Sequence, residues 1–255
     1  MSPSDKSGEA PAGGLYIYAV ATACGPREYG AIGLEGATVS RFDVGDLAAI
    51  VSRIGKQRVR PERRNLSAHM VVTRRLMEDE TVLPVSFGVI AGDDDALRTL
   101  LDRNAPLLVE QLEHVRGKVE MGLRVIWDVA NVFEYFVNLR PELRAARDTV
   151  GDIRQASRDQ MIALGQLFEH ALNEERDRLY EQVDAALEAH GIERRRGKTR
   201  NEREVMSVAC LVERDALGDF DRVIGEIASG FDSNFTFDLN GPWAPASFTE
   251  VALEI

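Results

Sequence analysis

His69, His114, His170 and His190 are the four histidines of this 255-residue chain and its most versatile groups for proton transfer or metal binding. They lie far apart on segments that read as helices. No HxH, HxxxH or HExxH spacing brings two of them onto one face, so a metal site is not indicated. Cys24 sits in a turn-like ACGP and Cys210 in an apolar run, and neither has metal-ligand spacing. The acidic run GDDDA (92–96) lacks the alternating ligands and closing glutamate of a cation loop. It reads as a helix cap instead.

The phosphate-binding patterns fail in the same way. The glycines of GAIGLEG (30–36) stand three apart, but the stretch leads into a strand, whereas a dinucleotide fingerprint opens a helix. There is no GxxxxGK[ST] and no GxSxG, and SFG at 86–88 is not a nucleophile elbow. No nucleophile, base and oxyanion donor can be named together, so no catalytic residue and no cofactor is assigned. His69, which precedes the VLPVSFG segment, is the histidine best placed for a role.

A net charge of −11 argues against nucleic acid, which needs a basic field. The basic runs KQRVRPERR (56–64) and ERRRGKTRNERE (193–204) carry interleaved glutamates and no stacking aromatic, and read as solvated loops. With 44% hydrophobic and 29% charged residues, the balance is that of a soluble globular protein. No run approaches the roughly 20 apolar residues of a membrane span. No secretory signal is evident, and a reducing cytoplasm is expected. Residues 1–14, rich in Ser, Gly, Pro and Ala, read as a disordered leader.

The elements follow from periodicity. LYIYAVAT (15–22), ATVSRFDV (37–44) and LAAIVSRI (47–54) predict three strands, the last two joined by a Gly45–Asp46 turn. Pro61 suits the first turn of a helix whose face is set by Leu66, Met70, Thr73 and Met77. TVLPVSFGVI (81–90) predicts an edge strand or a bulge, because Pro84 removes a ladder donor. The aspartates at 93–95 predict a cap, Pro106 the start of a further helix, and Gly117 its stop. GKVEMGLRVIWD (117–128) alternates as a half-buried strand. The proline-free stretch 150–190 predicts a helix about 60 Å long. A short strand within 192–200, the strand EVMSVACLVE (204–213), a helix capped by Asp215 and the strand SNFTFDLN (233–240) complete a βαββαβ succession, a ferredoxin-like pattern. The fold class is therefore α+β. The expected organisation is a leader to 14, an N-terminal α+β domain over 15–116, a ferredoxin-like domain over 117–240 and a tail over 241–255.

That tail is rigid and aromatic. Pro242 is expected to end the preceding strand and fix the exit direction. Trp243 should pack over a sheet edge. SFTEVALEI (247–255) alternates as an added edge strand with Val251, Leu253 and Ile255 on one face. It is expected to dock in cis and cover the sheet joining the two domains.

DLNGPWAPASF (238–248) resembles the C-terminal signature of the gas vesicle protein F/L family, a strand running into Gly-Pro-Trp-Pro-Pro-Tyr-Ser-Phe. TVLPVSFGVI resembles that family's Leu-Pro-Met-Arg-Phe-Gly strand, and GKVEMGLRVIWD its Gly-Lys-Val-Glu-Trp strand. LYIYAV and the helical His69 fit the same order, so the resemblance runs from about 15 to 255. The chain departs from the pattern at Val85, Ser86, Met121, Ala244 and Ala246. The resemblance implies a two-domain α+β protein without enzyme activity, in which the second domain is a modified ferredoxin-like fold and the tail extends a sheet. It implies a minor shell-associated or assembly protein of gas vesicles, in the cytoplasm or at the gas-facing shell surface. The implied partners are the small hydrophobic major shell protein and other gas vesicle accessory proteins, with no nucleic acid, membrane or small-molecule substrate. Pro84, Phe87, Gly88, Gly241, Pro242, Trp243, Pro245 and Phe248 are the structural and interaction candidates. Two other readings compete: a ligand-binding regulatory module with a polar-lined pocket between the domains, and an enzyme built around His69 and nearby carboxylates.

Overall fold

The computed structural model describes residues 13–151 and 156–249. The chain divides into two compact units: one holds the chain up to Glu120 together with residues from Trp243 onward, and the other is Met121–Pro242. The leader thus falls almost wholly outside the described residues, as does the tail beyond Thr249.

In the first unit, β1 (Gly14–Thr22), β2 (Glu28–Gly30), β3 (Val39–Val44) and β4 (Leu47–Ile54) precede helix α1 (Arg63–Asp79). Short strands β5 (Val82–Pro84) and β6 (Ile90–Ala91) and helix α2 (Asp94–His114) follow. The sheet runs β2-β3-β4-β1-β5, with β6 also on β1, and its described pairings are antiparallel. Consecutive residues Leu15 to Ala21 of β1 are all buried. Side chains of a strand alternate between faces, so β1 is covered on both sides, by α1 and α2. The strand around Pro84 breaks as its proline requires. β5 stops at Pro84 and lies at the sheet edge, and the ladder resumes at Ile90.

Two helical expectations need correction here. Pro106 does not start a helix, since α2 passes through it unbroken. The carbonyl that loses its partner is that of Asp102, an exposed residue, so water can satisfy it and the cost is lowered. Asp93 caps α2 as expected, accepting from the Ala96 N–H at 2.7 Å. In α1 the buried positions are Asn65, His69, Val72, Leu76 and Met77. The core stripe is therefore offset by one residue, about 100°, from the face expected through Leu66 and Met70.

The second unit is built on β7 (Lys118–Trp127), which begins in the first unit. It continues with α3 (Val132–Leu139), α4 (Pro141–Val150), α5 (Arg158–Ala189), β8 (Glu193–Arg196), β9 (Glu204–Glu213), α6 (Leu217–Ser229) and β10 (Phe235–Trp243). The sheet order is β10-β7-β9-β8. β7 buries every second residue, Val119 through Trp127. Trp127 stacks edge-on against Phe136 of α3 at 5.3 Å, and α5 adds Leu172, Leu179, Val183 and Leu187 to the same core. The helix expected over 150–190 starts later and is shorter than about 60 Å. α5 has 32 residues, about 48 Å at 1.5 Å each, and starts at a capping box formed by Ser157 and Gln160. β10 does not end at Pro242 as expected but continues to Trp243. An edge strand tolerates proline because one side of its backbone has no ladder partner.

Candidate functional site

The part of α1 that the core leaves unused includes exposed apolar residues. Met70 is 58% and Val71 52% exposed, although they sit beside buried His69 and Val72. A solvated helix face is normally polar. These two residues, with Ser67, Thr73, Arg74 and Met77, form one wall of a groove of about 570 Å³. Pro84, Val85 and Ser86 line it where β5 ends, and Trp243, Ala244, Ala246 and Thr249 of the tail close the other side. All of these residues, with Glu120, belong to the first unit.

The back of the groove is fixed by His69. The Tyr16 hydroxyl lies 2.9 Å from His69 Nδ1 and accepts the Gly88 N–H at 3.2 Å. The other ring nitrogen of His69 is bonded to the Val85 carbonyl. The network thus assigns a neutral imidazole that accepts at Nδ1 and donates at Nε2. Burial holds the His69 pKa below its ordinary value and pushes the Tyr16 hydroxyl up to about 12. Phe87 packs edge-on against both Tyr16 and His69. Gly88 has φ +96°, which glycine adopts without strain, and this presents its N–H to Tyr16. His69, Phe87 and Gly88 therefore fasten α1 to the turn after β5.

The tail is held by a carboxylate. Glu120 on β7 accepts the Ser247 N–H and the Ser247 hydroxyl, each at 2.7 Å. Gly241, at φ +129°, occupies backbone space closed to other residues. It is followed by Pro242 and by Trp243, which is 39% exposed at the groove. Pro245 precedes a 3₁₀ turn, Ala246–Phe248, and Phe248 is buried at 3% exposure. Ser247 and Phe248 are thus in a turn and not in the added strand expected there. The remainder of that expected strand, 250–255, lies outside the described residues.

Of the residues named from sequence, Pro84 and Trp243 line the groove directly. Phe87 and Gly88 support it from behind, and Gly241, Pro242, Pro245 and Phe248 shape the tail. Sequence reasoning missed Glu120, which looked like any polar residue alternating along β7. It also missed the exposure of the Met70 stripe. The signal was present as two apolar stripes on one helix, Leu66–Met70–Met77 and Val72–Leu76, more than a single buried face requires. Among the described residues, no three His, Cys, Asp or Glu side chains are grouped to hold a metal ion. No described helix is long and apolar enough to cross a membrane.

The chain is an α+β protein of two units, and the first carries a groove framed by the clamped tail. The chain belongs to the gas vesicle synthesis protein GvpL/GvpF family, whose model matches residues 14–250. It is 29% identical to gas vesicle protein F of Streptomyces sp. (strain CB03234), over 92% of this chain and 99% of that protein. It is 26% identical to gas vesicle protein L of the same strain, over 94% of each. The crystal structure of GvpF from Anabaena sp. PCC7120 superposes with a TM-score of 0.79 at 21% identity, over 94% of this chain and 99% of that one. GvpF from Microcystis aeruginosa gives 0.75 at 20% identity, over 93% and 99%. This is a gas vesicle-associated protein, and its fold is that of GvpF.

Proposed function

We propose that the chain is a non-catalytic assembly protein that receives a hydrophobic segment of the small major shell protein in the groove of its first unit. The observation that carries this reading is the exposed apolar stripe of α1, Met70 and Val71, facing Trp243 across the groove. An exposed, contiguous apolar surface in a strongly acidic chain is a feature to be covered by a partner. Methionine suits such a surface because its unbranched thioether adapts to different partners. The acidic balance of the chain supports solubility while that surface stays open.

The succession in the second unit, laid out as β10-β7-β9-β8, supports the ferredoxin-like reading. Its role here is to carry β7 and β10, the two strands that lead to Glu120 and Trp243. The eight residues named from sequence act in this account as framework and lining. Work in the cytoplasm during shell formation, together with other gas vesicle accessory proteins, is part of the same proposal. The test is co-purification of the major shell protein with the wild-type chain and with Met70→Glu. Retention by the wild type and loss in the folded variant supports the groove. Equal retention by both removes it.

A further inference from the structure

Arg74 is the one Lys or Arg among the residues lining the groove, and it stands between Met70 and Met77 on α1. Those two methionines are about 10 Å apart along the helix, so the guanidinium lies within the apolar stripe and not at its end. Arg74 is exposed, and among the described residues it has no ion pair and no side-chain hydrogen bond. Its natural partner on the same helix face would be Glu78, four residues on. That carboxylate is taken by Arg75 at 2.7 Å, and Arg75 also lies 3.6 Å from Asp79. The other charged group of the lining is Glu120, whose two oxygens accept the N–H and the hydroxyl of Ser247. Thr73 donates within its own helix, and His69 is bonded to Tyr16 and to the Val85 carbonyl. The groove thus presents a cation that nothing in the described chain answers, although acidic residues outnumber basic ones 42 to 31.

An apolar segment that covers this stripe strips water from Arg74 as well. A guanidinium covered without an acceptor loses its hydration and gains nothing in return. A carboxylate placed opposite it accepts paired N–H bonds from the planar fork. We propose that Arg74 is the specificity residue of the groove. Its partner segment carries an aspartate or glutamate with apolar residues on both sides, the carboxylate pairing with Arg74 and the apolar residues covering Met70 and Met77. The proposal rests on the groove being the docking site for the shell protein, and it adds which kind of segment that site selects. Selection works by a penalty as much as by a gain, because a wholly apolar segment must leave the covered cation unpaired.

The test titrates peptides tiling the major shell protein against the full chain by fluorescence anisotropy. Wild type, Arg74→Gln, Arg74→Glu and Met70→Glu are compared after each is shown to melt as the wild type does. The tightest binder of the wild type is expected to hold an acidic residue between apolar ones. Arg74→Gln should weaken that peptide about tenfold or more, and Arg74→Glu should weaken it further. Replacing the peptide's acid by lysine should weaken binding to the wild type by a similar factor and restore binding to Arg74→Glu. That exchange of charges is a readout that a merely structural role for Arg74 would not give.

A best binder without an acid overturns the proposal. So does equal affinity for wild type and Arg74→Gln, which would mean that the guanidinium reaches water past the bound segment. In either case a loss of binding in Met70→Glu leaves the docking site itself standing. Peptides that bind Met70→Glu as tightly as the wild type, or no binding by any peptide, remove the docking site and the charge selection together. Laurate is titrated in parallel, as a carboxylate amphiphile that is not a peptide. Laurate bound more tightly than every peptide overturns the proposal in favour of a small amphiphilic ligand.

Discussion

Glu120 and Ser247, 127 positions apart in the chain, are joined by two hydrogen bonds of 2.7 Å to one carboxylate. That pair sets where the tail leaves β10 and therefore where the second wall of the groove stands. Each bond to a charged acceptor contributes about 1.5–3 kcal/mol, an upper range here because the pair is only part-buried. Glu120→Ala should raise limited proteolysis between Trp243 and Thr249 about tenfold or more, since cleavage follows the open population. Glu120→Gln, which keeps one acceptor oxygen, should fall between. Tail cleavage at the wild-type rate in Glu120→Ala would mean that the bonds do not hold the tail.

The exposed stripe of α1 predicts a separation of stability from function. Met70→Glu and Val71→Glu replace side chains that are more than half exposed, so denaturation midpoints should move by no more than about 0.5 kcal/mol. Gas vesicle yield in a complemented host should nevertheless fall sharply. Val72→Asp, one residue further into the core, should unfold the first unit and serve as the contrast. Normal vesicle yield with Met70→Glu would remove the stripe from the account.

His69 gives the first unit a defined pH dependence. Its folded pKa is held below the ordinary value by burial, so the unfolded chain binds the proton more readily. Stability contributed by neutral His69 is complete above the unfolded value of about 6.5. It declines as pH falls toward and through the lower folded value. Protonation also puts a second donor against the Tyr16 hydroxyl. The groups around the ring are Tyr16, Tyr18, Phe87 and the Val85 carbonyl; none is an anion that would offset the charge. Urea midpoints between pH 7.5 and 5 should drop for wild type and drop less for His69→Gln. Parallel pH profiles for the two proteins would contradict this assignment.

Arg41 offers a test of packing in the same unit. Its side chain is fully buried, pairs with Glu80, and donates to the Thr22 carbonyl at 2.7 Å and the Tyr29 hydroxyl at 3.0 Å. Arg41→Ala leaves Glu80 and a buried carbonyl without their cation, and should cost about 3–5 kcal/mol in chemical denaturation. A loss under about 1 kcal/mol would show that the cluster is solvated when folded.

The legible part of the fold came from strong local rules. The β3–β4 hairpin is set by its Gly45–Asp46 turn, the break at Pro84 by a missing donor, and the β7 strand by strict alternation. What failed were readings in which solvent exposure decides. Pro106 is tolerated inside α2 because the carbonyl it orphans belongs to exposed Asp102. Pro242 is tolerated in β10 because that strand is an edge. The exposure of Asp102 is set by tertiary packing, and a proline at the end of a strand run reads equally as a stop or as an edge position. The face of α1 was misjudged because it carries two apolar stripes and only tertiary packing chooses between them. For the site, Pro84 and Trp243 were visible through the family resemblance, and Glu120 was not, because its partner is 127 residues away.

The most direct test of the groove is a photo-crosslinking residue placed at position 70 in cells forming gas vesicles, with position 222 on α6 as the control. The account predicts an adduct at position 70 whose mass and peptides identify the small hydrophobic shell protein, and none at position 222. No adduct at position 70, or equal adducts from both positions, would contradict it.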